Sequence, residues 1–123
     1  MNVLGAMIVG LVALEHAWFF VLESFLFTAP IGLQTFGNTP EKARTLAVLA
    51  KNQGVYNAFL AAGLVWSLAH PDPVVAFQLR AFFLGCVVVA GIVGGITLSF
   101  PVFLLQGLPA LVGLGIAWLT WPR

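Results

Sequence analysis

Four long apolar stretches dominate this chain, from about Val3 to Phe27, Leu46 to Ala69, Val74 to Ser99 and Phe100 to Trp121. Roughly 20 apolar residues suffice for a helix to cross a bilayer, and a helix satisfies its own backbone in lipid. Composition points the same way. Only 7% of the 123 residues are charged and 61% are hydrophobic, whereas a soluble domain carries about 25% charged residues. So few charges cannot make a solvated surface, and lipid is the expected solvent. The expectation is an all-α, polytopic protein of the cell membrane. It would be a four-transmembrane-helix antiparallel bundle forming one domain over residues 1–123, with helices at about 3–27, 40–69, 74–99 and 100–121. The net charge of +1 gives no reason to expect a nucleic-acid partner.

Local signals set these boundaries. The first stretch is read as a retained helix rather than a leader. Met1-Asn2 lacks a basic side chain, and Glu15, His16 and Glu23 interrupt the apolar core. Pro30, Gly32, Gly37 and Asn38 mark Thr28 to Thr39 as a loop. Thr39-Pro40-Glu41 then reads as a helix start, with Thr39 as N-cap, Pro40 at the first helical position and Glu41 at the positive end of the dipole. His70-Pro71-Asp72-Pro73 is the second connection. The third is almost absent, so segments three and four are expected as a tight antiparallel pair. Trp66, Trp118 and Trp121 fit an aromatic belt. Small residues at Cys86, Ala90 and Gly94, and at Gly91 and Gly95, permit close helix contact within the bundle or in a homodimer. The lone Cys86 cannot form an intrachain disulfide. Lys42 and Arg44 against Arg123 tip the positive-inside rule towards a cytoplasmic first connection.

Inside the second stretch lies Lys51-Asn52-Gln53-Gly54-Val55-Tyr56-Asn57. Polar groups at membrane depth are costly, so they are expected to face other helices or a wet cavity. Glu15, Glu23, Lys51 and Arg80 are the charges within apolar segments, two of each sign, which suggests mutual pairing. Counting inwards from a shared interface brings Glu23 level with Lys51 to within about 2 Å, and an ion pair between them is expected. The same count sets Glu15 level with Asn57 and brings Gln106 near Lys51 and Asn52. Arg80 enters from the opposite face, either snorkelling or reaching towards Glu15. Asn52, Gln53, Tyr56 and Asn57 share an arc of helix two expected to face the interior, and Glu15, His16 and Glu23 share one of helix one. The candidate binding residues are therefore Glu15, His16, Asn52, Gln53, Tyr56, Asn57 and Gln106. One histidine with carboxylates is a poor zinc set, so neither metal nor cofactor is expected.

Val12-Ala13-Leu14-Glu15-His16, the Thr-Pro-Glu helix start, the run from Asn52 to Gly63 and Gln106-Gly107-Leu108-Pro109-Ala110 together resemble the bacterial and fungal membrane proteins grouped as domain of unknown function 1304. The NQGxYN run is the most specific part, and Ala58 stands where the family pattern has Gly. The resemblance covers nearly the whole chain and implies four transmembrane helices, without an activity.

Three functions compete on this reading. The leading one is a small membrane protein that binds or transports a small solute or proton, with Glu15 as titratable centre and a homodimer enclosing the pathway. The second is a membrane-embedded enzyme acting on a lipid-like substrate. There Glu15 or His16 would be the acid or base, with Tyr56, Asn52 and Gln106 orienting a polar group. The third is a structural or accessory subunit in which the carboxamides merely join helices.

Overall fold

The computed structural model describes residues 1–121, and all regular structure among them is helical. Five helices follow one another rather than the expected four: α1 (Val3–Ser24), α2 (Pro30–Phe36), α3 (Pro40–Ala69), α4 (Pro73–Thr97) and α5 (Phe100–Leu119). Of these, α1, α4 and α5 are long and apolar enough to cross a membrane, which marks the chain as a membrane protein. α3 is longer still at 30 residues. Its first-turn charges and the run Lys51–Asn57 leave it less apolar than the other three.

The additional helix is α2, inside the segment expected to be loop. Pro30 occupies its first position after an extended Ala29, and Gly37 closes it at φ 67° with its N–H bonding the Leu33 carbonyl. Gly tolerates that left-handed conformation where other residues are strained. α1 stops at Ser24 rather than near Phe27. Its last turn opens as the Val21 carbonyl accepts from both Phe25 and Leu26 N–H, at 3.0 and 3.2 Å. α3 begins on a capped turn, with Thr39 Oγ1 accepting the Lys42 N–H at 3.2 Å. At the start of α4, Asp72 accepts from Val74 and Val75 N–H at 2.8 and 3.1 Å.

α5 is not uniform. A short α-turn, Phe100–Val102, leads into a π-helical segment, Phe103–Gly107, before α-geometry resumes over Leu108–Leu119. Pro109 has no N–H to offer the carbonyl one turn back, and its ring crowds that carbonyl. The wider turn relieves both problems.

The chain divides into two compact units. One comprises Met1–Ala13 and the chain from Ala62 onward; the other is Leu14–Ala61. In the first unit α4 and α5 form an antiparallel hairpin. Gly94 meets Val102, Gly91 meets the Gly107 backbone, Gly113 meets Leu84 and Phe77 meets Trp121. The start of α1 lies on α5 through Gly5 with Ile116 and Ile8 with Gly113, and the end of α3 lies on α4 through Gly63 and the Phe83 ring. Its core includes Val9, Leu64, Leu84, Val87 and Ala110. In the second unit the later half of α1 packs on α3, whose buried stripe is small: Ala43, Ala50, Gly54 and Ala61. Phe27 and Phe36 rings, 5.3 Å apart, tie α2 to the connection that follows α1. Pro122 and Arg123, the latter used for the orientation expectation, lie outside the described residues.

Candidate functional site

The small stripe of α3 positions the polar groups of the second unit. A Cβ on Gly54 would meet Ser24 Oγ, Glu23 Cβ and the Phe20 carbonyl, so α1 and α3 approach there at backbone distance. Two hydrogen bonds flank that contact. Ser24 Oγ donates to the Lys51 carbonyl at 3.3 Å, and Asn57 Nδ2 donates to Glu23 Oε1 at 2.7 Å.

This geometry corrects the expected Glu23–Lys51 ion pair. The Lys51 backbone does come level with the end of α1, at Ser24, but the Lys51 side chain is exposed. It sits about 100° round the helix from Ala50, off the packed stripe. Asn57, one turn beyond Gly54, becomes the partner of Glu23. An ion pair does join Arg44 to Glu41, at 3.7 Å.

The expected inward stripe is corrected too. Asn57 is half-buried, whereas Asn52, Gln53 and Tyr56 are exposed, Tyr56 by 60%. The helix turns its small residues inward because they allow close packing, and that carries the larger polar ones outward. Asn52 meets its own needs locally, donating from Nδ2 to the Val48 carbonyl at 3.2 Å.

Glu15 and His16 lie two turns before Glu23 on α1. His16 is fully buried, with its ring edge-to-face on Phe19 at 5.6 Å. Glu15 is half-buried, and its Oε1 is enclosed with no hydrogen-bond partner among the described residues. The two carboxyls of α1 therefore differ: Glu23 is held by an amide donor, and Glu15 leaves an oxygen unused. Gln106 belongs to the first unit, half-buried within the π-helical segment.

The first unit also contains a cavity that hydropathy and residue spacing do not reveal. A cavity of about 300 Å³ is lined by Arg80, Ser67, His70, Phe77, Ala117 and Trp121, among others. Arg80 is only 6% exposed, so it does not snorkel out to water. The available signal was Arg80 itself, a cation inside an apolar helix whose own stretch of chain supplies only Asp72 as an acid.

The model of the family described as "Protein of unknown function (DUF1304)" matches residues 10–118. The chain belongs to the DUF1304 family. The match takes in Glu15, Glu23, Asn57, Arg80 and Gln106, so both polar features lie within the DUF1304 region. A relative, the uncharacterized protein YpaA of Lactococcus lactis subsp. lactis (strain IL1403), is 26% identical over 116 residues, covering 93% of this chain and 96% of that protein. No solved structure matches this DUF1304 protein.

Proposed function

We propose that this is a multi-pass protein of the cell membrane that binds a small solute or moves protons, with Glu15 as its working group. The observation that carries the reading is the contrast between the two carboxyls of α1. Asn57 engages Glu23 at 2.7 Å, whereas the enclosed Oε1 of Glu15 has no donor among the described residues. An unsatisfied oxygen in a dry place is costly to keep, and intramembrane carboxyls of this kind typically serve proton or ion pathways. Exchange of a proton for a cationic or hydrogen-bonding ligand is the chemistry open to such a group. Buried His16 is the neighbouring titratable side chain. A second copy of the chain would cover exposed Gln53 and Tyr56, which lipid cannot satisfy.

Proteoliposomes carrying an internal pH-sensitive dye test the reading. With an imposed potential, wild type should pass protons at least about tenfold faster than Glu15→Gln, a barrier change of about 1.4 kcal/mol. Both proteins should elute as the same folded species. Equal flux in the two would end the Glu15 reading. The structural-subunit reading draws on the Glu23–Asn57 bond. It expects Glu15→Gln to alter assembly rather than flux.

A further inference from the structure

The cavity of the first unit is lined by a buried cation that has no ion-pair partner among the described residues. Arg80 is 6% exposed, and its Nε is enclosed with no hydrogen-bond partner among the described residues. Its Nη2 makes one long bond, donating to the Ser67 carbonyl at 3.5 Å. No ion pair involves Arg80 among the described residues. The one acidic side chain in this unit, Asp72, is committed elsewhere, since its Oδ1 accepts the Val74 and Val75 N–H groups at the start of α4. A guanidinium keeps its charge in proteins and offers five donors in a rigid fork suited to carboxylate and phosphate. Burying it unpaired is among the costlier arrangements in a fold.

The surroundings are suited to an anion rather than to further packing. About 300 Å³ of space adjoins the guanidinium, at the lower end of the range for small-molecule sites. His70, also on the wall, accepts the Asp72 N–H at Nδ1 at 3.1 Å. Phe77 and Trp121, with ring centroids 4.2 Å apart, supply an apolar wall. From the buried guanidinium on the cavity wall, its lack of an ion-pair partner among the described residues and the open volume beside it, we infer that this cavity binds a phosphate oxyanion, with Arg80 as the anchoring residue. The phosphate arrives either free or as the headgroup of a phospholipid. The site is independent of Glu15.

The test is thermal unfolding of the purified full chain in detergent, with inorganic phosphate, phosphatidylglycerol or a phosphate-free galactosyl diacylglycerol added. Wild type should gain at least about 4 °C in midpoint from a phosphate-bearing probe at saturation, and nothing from the galactolipid. A gain with inorganic phosphate identifies a free oxyanion as sufficient. A gain with phosphatidylglycerol alone identifies the lipid headgroup. Arg80→Gln and Ala117→Leu should each remove the gain, the second by filling the cavity with the guanidinium intact. Should Arg80→Gln not fold, Ala117→Leu decides. No gain in wild type, an equal gain from the galactolipid, or an undiminished gain in a folded variant would overturn the assignment.

Discussion

Asn57 on α3 donates from Nδ2 to Glu23 Oε1 on α1 at 2.7 Å. It does so one turn beyond the point where Gly54 lets the two helices touch. The bond joins residues 34 positions apart, and it depends on the backbone approach that Gly54 allows.

That dependence sets the first expectation. Interhelical hydrogen bonds in membranes are worth about 0.5–2 kcal/mol. A double-mutant cycle of Glu23→Leu with Asn57→Leu should return a coupling in that range, read from unfolding in detergent. Each single replacement should lose more than the coupling, because it strands a partly buried polar partner. A coupling near zero would mean that the two side chains only happen to be adjacent.

Gly54→Ala should destabilise the fold by about 1–3 kcal/mol, since the added Cβ meets the Phe20 carbonyl as well as Ser24 Oγ. Gly10→Ala, where no atom lies within 4 Å, is the matched control. It should be neutral or slightly stabilising, because Ala is the better helix former by about 1 kcal/mol. Similar outcomes for the two would refute the close contact.

Gly91→Ala should be at least as harmful as Gly54→Ala. Its new Cβ would meet backbone atoms of Gly107, which cannot rotate away as a side chain does. Gly85→Ala on the same helix meets nothing and should be tolerated. Unfolding midpoints of the two purified variants provide the comparison.

Lys51→Met should shift unfolding free energy by no more than about 0.5 kcal/mol, as for other exposed side chains without a partner. A loss of 2 kcal/mol or more, on the order seen for a broken buried ion pair, would show that Glu23 engages Lys51 after all.

The exposed polar face of α3 predicts where a second copy would sit. In a Cys86→Ser background, Gln53→Cys should give disulfide-linked dimers in native membranes, and Val55→Cys, about 160° round the helix, should not. Equal cross-linking at both positions would indicate random encounter.

Much of the secondary structure is written locally in the chain. Apolar length marks α1, α4 and α5 as helices able to cross a membrane, because a segment in lipid must satisfy its own backbone. Thr39-Pro40 starts α3 through a cap and a fixed φ, both local chemistry. The sequence by itself also singled out Glu15, Glu23 and Asn57 as polar groups that lipid would not tolerate bare. The tertiary structure alone decided their partners. Depth counting brings Lys51 to within reach of α1, but helix rotation determines which side chain arrives, and rotation is set by where the smallest residues let two backbones meet. Gly54 takes that place, which carries Lys51, Asn52, Gln53 and Tyr56 outward and turns Asn57 to Glu23. For the same reason the Arg80 cavity could not be read beforehand. It is a volume left among α3, α4 and α5, and a sequence records the residues that pack but not the space that they fail to fill.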